Sequence, residues 1–155
     1  MIDVVNLQRK VNLNTSEIRK YVLKLPSTVS EAEGRTFSVA FVSDKRMTEL
    51  NKFFRGKGST TDVLSFPSES PAATDGLSVD LVQPPSTVSD SDFLGDIVIS
   101  AEQAERQASD NRLTLENEVK QLILHGLLHL CGYDHETDTG EMNRRELELR
   151  NELKI

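Results

Sequence analysis

The chain has 155 residues, 37% hydrophobic and 28% charged, with a formal net charge of −7 and one cysteine. That length suits a single domain able to bury a core without disulfide or metal staples, and a lone cysteine excludes an internal disulfide. No stretch approaches the roughly 18 uninterrupted apolar residues of a membrane span, and the first residues lack a basic region followed by an apolar one. The expectation is a cytoplasmic protein with no membrane partner and, as a whole-molecule average, little loose attraction to nucleic acid.

Val4, Val5, Leu7 and Val11, with polar residues between, predict an opening strand within residues 2–11. Asn14 and Glu17 read as a capping pair for a helix through Ile18, Tyr21, Val22 and Leu25 that Pro26 ends. Residues 36–42 alternate with period two and are rich in β-branched and aromatic side chains, the clearest strand in the chain. Ser43 or Asp44 caps a second helix with Met47, Leu50, Phe53 and Phe54 at helical spacing, and Gly56 and Gly58 lie just beyond it. Residues 62–66 and 94–99 predict two further strands.

Between them, residues 68–92 hold six Ser, three Pro, five acidic residues and no Lys or Arg. This predicts a polar, mobile loop, with a poorly paired hairpin near 77–82 as the alternative. It carries −5 of the net charge and leaves only −2 for the rest, so the acidity is local. Ser100 with Gln103 opens a helix to about Asp110, and Thr114 opens another that runs to Leu130 and is apolar almost all round, hence buried. Asp138 and Glu141 cap a last amphipathic helix with Met142, Leu147, Leu149 and Leu153 as its apolar contacts. The fold class is α+β: one domain over residues 1–155, a small mixed sheet flanked by helices, with a buried histidine-bearing helix.

The three histidines, His125, His129 and His135, all fall within eleven residues. At about 100° per residue, His125 and His129 lie one turn apart on one helix face, with Glu118 and Gln121 on the same stripe. Two ring nitrogens so presented can grip one metal ion, and a third ligand has to come from outside the helix. Gly132 can take the left-handed backbone that ends the helix, bringing His135 in from the following turn. Three histidines leave a fourth position for water or substrate, the pattern of catalytic zinc at one ion per chain; nickel also suits imidazole ligands. The packing alternative has to bury two histidines in a leucine-rich helix with their polar atoms satisfied some other way. Cys131, about 200° around the helix from His129, faces the core, Tyr133 packs, and Asp134 reads as an exposed turn aspartate, with orienting a ligand or accepting a proton as the alternative.

The spacing H-x-x-x-H-x-x-G-x-x-H matches the ligand frame of zinc proteases, whose general base is a glutamate directly after the first histidine. Here that position is Gly126, and no substitute base is apparent in the helix. The run from His125 to His135 instead resembles the H-G-x-L-H-L-x-G-Y-D-H signature of the YbeY family, metal-dependent endoribonucleases of ribosomal RNA maturation. Leu50-Asn51 through Arg55-Gly56-Lys57 to Thr61-Asp62-Val63-Leu64-Ser65-Phe66-Pro67 is similar to that family's second block, and Leu94-Gly95-Asp96-Ile97 to its third. Two departures stand out: Thr60 replaces a proline, and the 68–92 loop is long.

The resemblance implies a small mixed sheet flanked by helices, a zinc-like ion on His125, His129 and His135, and an RNA cleft to which Arg55 contributes. Phosphodiester chemistry supports that role, because a guanidinium can hold two non-bridging oxygens as they gather charge. From Asp44 to Lys57, five basic residues (Lys45, Arg46, Lys52, Arg55, Lys57) face two acidic ones, a local +3. Arg55 is the candidate catalytic residue, and Arg55 and Lys57 the candidate RNA contacts. Implied partners are precursor ribosomal RNA and the ribosome or proteins associated with it. Two further readings stay open: a zinc-dependent amide hydrolase, and a ribosome-assembly factor whose metal is structural.

Overall fold

A computed structural model describes residues 3–68, 92–134 and 136–155 of the chain. His135 and the expected 68–92 loop, save its two end residues, lie outside them. The described elements are β1 (Asp3–Asn6), α1 (Thr15–Thr28), a 3₁₀ turn (Ser30–Ala32), β2 (Thr36–Val42), α2 (Asp44–Arg55), β3 (Val63–Pro67), β4 (Phe93–Ser100), α3 (Ala101–Asp110), α4 (Leu115–Leu130) and α5 (Glu141–Leu153). Four of the helices start where short polar side chains take up a first-turn N–H: Asn14 from Glu17, Ser43 from Arg46, Ser100 from Gln103 and Thr114 from Asn117. The last helix is capped differently. Gly140 occupies the cap position, and Asp138 reaches forward to accept from the N–H groups of Gly140 and Met142.

The strands form one mixed sheet in the order β1-β2-β4-β3, with β1, β2 and β4 parallel and β3 antiparallel to β4. This α+β arrangement is the expected one. Strand alternation sends two sets of side chains to opposite faces. Val39, Phe41, Ile97 and Ile99 join Ile18, Val22 and Leu25 of α1 and Ile123, Leu124, Leu127 and Leu128 of α4 in the larger core. Ala40, Val42, Leu64, Phe66 and Val98 pack on Met47 and Leu50 of α2 in the smaller one.

Four local expectations are corrected. β1 is shorter than 2–11, because Gln8 turns the chain by bonding the backbone of Val11 in both directions. Pro26 does not end α1; the helix runs to Thr28, and Val29 N–H still reaches Leu25. Phe53 is 56% exposed, and α2 buries Asn51 instead, whose amide holds the Ser59 carbonyl at 2.8 Å. Leu147 is 55% exposed, while Glu146 is 93% buried on the stripe with Met142 and Leu149. The reason for that last exchange lies in the histidines. Among the described residues no helix is long and apolar enough to cross a membrane.

Candidate active site

Helix α4 approaches the sheet closely because residue 126 lacks a side chain. A Cβ there would stand 2.8 Å from Ile97 Cγ2 and 3.2 Å from Ser65 Oγ. Ser65 uses that closeness, donating its hydroxyl to the Gly126 carbonyl at 3.2 Å. This is the position at which a zinc protease carries its glutamate base, and the contact with fully buried Ile97 leaves no room for one. Past Leu130 the chain leaves the helix through Gly132, at φ +106°, a left-handed backbone that favours glycine. Tyr133 N–H then closes back on the Leu128 carbonyl at 3.1 Å.

His125 and His129 stand side by side, with Nε2 atoms 3.2 Å apart and ring centroids 4.8 Å apart. His125 Nδ1 is 2.7 Å from Glu146 Oε1, and His129 Nδ1 is 3.1 Å from the Tyr133 carbonyl oxygen. A carboxylate and a carbonyl only accept, so each Nδ1 carries a proton and donates it. In neutral rings each Nε2 then keeps its lone pair, and two tetrahedral zinc ligands at about 2.05 Å from the ion would stand about 3.3 Å apart, close to the separation seen here. The donor set therefore fits an imidazole-binding metal. His135, the third expected ligand, is outside the described residues.

The partners of the two rings differ in kind. Burial pushes the Glu146 carboxyl up, but the hydrogen bond from His125 and the charge of Arg150 outweigh it and hold the group below its ordinary value. Arg150, one turn on, closes an ion pair with the other oxygen of Glu146. On the His129 side, the Tyr133 hydroxyl donates to Glu31 Oε2 at 2.6 Å, and Arg145 grips both Glu31 oxygens at 2.9 Å. The Arg145 bonds bring the Glu31 carboxyl down to about 2; its burial opposes that shift, and the Tyr133 bond adds to it. Tyr133 thus packs, as expected, and is also anchored. Cys131 lies partly against the larger core, its thiol pushed up to about 11 chiefly by burial. Asp134 is exposed and accepts from Glu136 N–H at 3.0 Å, as a turn aspartate does.

Arg55 arrives from the other side of the sheet. It is the last residue of α2, which stops at Gly56 in a left-handed cap. Arg55, His125 and His129 all line one cleft of about 660 Å³, together with Val63, Ser65 and Pro67 of edge strand β3. Asp62, Asp134 and Glu136 also reach its wall. Lys57 is exposed two residues beyond Arg55, outside the lining. Its loop is held by Asn51 and by Thr60, whose hydroxyl donates to Asp44 Oδ1 at 3.1 Å. Asp44 itself is paired with Arg106 at 2.7 Å and Arg46 with Glu49 at 3.3 Å, whereas Lys45, Lys52, Arg55 and Lys57 have no ion-pair partner among the described residues. Three of these four, Lys52, Arg55 and Lys57, lie toward the end of the segment where Arg55 meets the cleft.

Glu146, Glu31 and Arg145 went unread in the sequence. Glu146 left one trace: it sits four residues after Met142 and four before Arg150, an acidic residue on an apolar stripe with a partner one turn away. Glu31 left none.

A family model described as Endoribonuclease YbeY matches residues 3–154. The chain is similar to Endoribonuclease YbeY of Thermodesulfovibrio yellowstonii, at 31% identity with 96% of this chain and 93% of the relative covered. It is similar to that of Nautilia profundicola at 35%, covering 92% and 89%, and to that of Thermoanaerobacter pseudethanolicus at 36%, covering 95% and 86%. The solution structure of TM1509 from Thermotoga maritima matches with a TM-score of 0.61 at 26% identity, over 99% of this chain and 92% of the other. With a match running almost from end to end, a shared fold, and the HGLLHLCGYD run on α4 and its exit turn, the chain belongs to the YbeY endoribonuclease family.

Proposed function

We propose that this chain hydrolyses phosphodiester bonds of single-stranded RNA, with ribosomal RNA precursors as substrate, in the cleft over β3. The observation that carries the reading is that Arg55 and both imidazoles line one cleft although they come from opposite faces of the sheet. In this reading His125, His129 and His135 hold one zinc ion; nickel suits the same ligands. When bound, the ion supplies Lewis-acid chemistry, polarising a phosphoryl oxygen and acidifying water near neutral pH.

The chain's own residues do the rest. Arg55 offers a planar, permanently charged fork at the cleft wall, suited to two non-bridging oxygens of one phosphate and to the charge they gain as the bond breaks. Lys52 and Lys57, both exposed, add positive charge on either side of Arg55 in the chain. Glu146 and the Tyr133 carbonyl hold the imidazoles with Nε2 inward. Gly126 keeps the helix against β3 and β4, so the histidine face and the strand share one wall. Acting on ribosomal RNA places the protein with ribosomal particles and their associated proteins in the cytoplasm.

The test is cleavage of pure single-stranded RNA with and without chelator, beside metal analysis. Arg55→Ala is expected to keep its zinc and lose on the order of 10²-fold in cleavage rate. His129→Ala is expected to lose both. Undiminished cleavage by a metal-free His129→Ala protein overturns the reading, and peptide cleavage with RNA untouched points to the amide hydrolase.

A further inference from the structure

The last helix carries, at consecutive positions, the residues that set both imidazoles. Glu146 bonds His125 directly, while Arg145 reaches His129 through three steps: its guanidinium on Glu31, Glu31 on the Tyr133 hydroxyl, and the Tyr133 carbonyl on His129 Nδ1. Neither Arg145 nor Glu146 lines the cleft. Glu146 is 93% buried, an expensive place for a carboxylate unless its charge is used. Both of its oxygens are engaged, one by His125 and one by Arg150.

We infer that Glu146 and the Arg145–Glu31–Tyr133 relay are positioning residues for the metal-binding pair, and that docking of α5 sets the metal affinity of α4. This rests on the reading that His125 and His129 bind metal. A carboxylate behind an imidazole fixes the Nδ1–H form, orients the ring and makes Nε2 a stronger donor; a backbone carbonyl fixes and orients it with less polarisation. The two rings are therefore unequal. His125 takes its strength from an anion on α5, and His129 takes its position from a carbonyl whose residue is moored to α5 at its far end.

The experiment is zinc affinity by competition with a chromophoric chelator, read beside the ring ¹⁵N shifts of both histidines in the metal-free protein. Glu146→Ala is expected to weaken zinc on the order of 10–100-fold and to shift the His125 nitrogens away from the Nδ1–H pattern while leaving those of His129. Glu146→Gln keeps an acceptor, so the His125 pattern is kept and affinity falls by less than about tenfold. Tyr133→Phe keeps the ring, loses the Glu31 bond, and is expected to weaken zinc by about fivefold, with the ¹⁵N change on His129. Met47→Ala, which hollows the smaller core on the opposite face of the sheet and leaves α5 docked, controls for stability and is expected to move neither readout. Wild-type zinc affinity in both Glu146 variants, or unchanged His125 nitrogens in Glu146→Ala, overturns the inference. If Glu146→Ala does not fold, Glu146→Gln and Tyr133→Phe decide it by the same measurements. A wild-type protein that binds no zinc defeats the metal reading instead, and the ring shifts still decide whether Glu146 and Tyr133 position the histidines.

Discussion

The two faces of the sheet are built to different standards. Among the described residues, 23 buried side chains make up the core on the α4 side and seven the core on the α2 side. The histidines sit on the first and Arg55 on the second. A pair proposed to hold metal has to be fixed to a fraction of an ångström, and here each ring makes a hydrogen bond to an acceptor that is itself held. A guanidinium that meets phosphate from a helix end tolerates more play, and Arg55 stands exposed at the last residue of α2. The face with more core thus carries the group that needs more precision.

Gly126→Glu is the strongest way to break that contrast. It restores the glutamate of the protease frame, but its Cβ would lie 2.8 Å from the side chain of fully buried Ile97. Overpacking costs roughly 1–3 kcal/mol and a buried unpaired carboxylate adds to it, so a loss above about 4 kcal/mol is expected by chemical denaturation, together with loss of zinc. A stable, zinc-binding variant would show that α4 can lift off the sheet without disturbing the histidines, and the two faces would then be equally tolerant.

The smaller face contains its own half-buried acid. Alternation along β4 places Asp96 with Val98 on the α2 side, and burial raises its carboxyl to about 6, against a bond from Ser38 that lowers it. The unfolded chain loses this proton near 3.8, so between about 4 and 6 the folded state binds more protons and stability falls as pH rises. The loss is up to about 3 kcal/mol and persists above pH 6. Asp96→Asn is expected to flatten the slope and to be the more stable protein at pH 7, with zinc affinity unchanged. Denaturation midpoints for the two proteins at pH 4.5 and 7.5 check this; a constant difference between them refutes it.

The same division marks what could be read from the amino acids alone. Capping residues are local signals, and Asn14, Ser43, Ser100 and Thr114 all cap as expected. The pair His125/His129 is legible from spacing, whereas Arg55 comes from the resemblance to the family, with the local positive charge and the glycine turn in support. Strand order was not, since nothing local says that β4 inserts between β2 and β3. Leu147 is expected as an apolar contact and Glu146 goes unread because periodicity assigns burial by hydropathy, whereas a carboxylate with two cationic or donor partners can outcompete a leucine for the buried position. Glu31 acts across more than a hundred residues of sequence on Arg145 and Tyr133, and such a relay exists only once the chain is folded.

Thr60 gives the finest test of the contrast. Where the family pattern carries proline, this chain has a hydroxyl that donates to Asp44 Oδ1, an atom that also accepts from Ser100 at 2.7 Å. The loop between α2 and β3 is tied down by a side-chain bond in place of a stiff residue. Thr60→Val keeps the shape and removes the donor while Asp44 retains Ser100 and Arg106, so the stability cost is expected to be about 1 kcal/mol or less. Because this loop starts just after Arg55 and carries Lys57, RNA affinity is expected to fall by about twofold to fivefold while zinc affinity stays at the wild-type value, measured by RNA titration and chelator competition on the same preparation. A change in zinc affinity would mean that the two faces communicate through β3 and that neither half of the cleft is set independently.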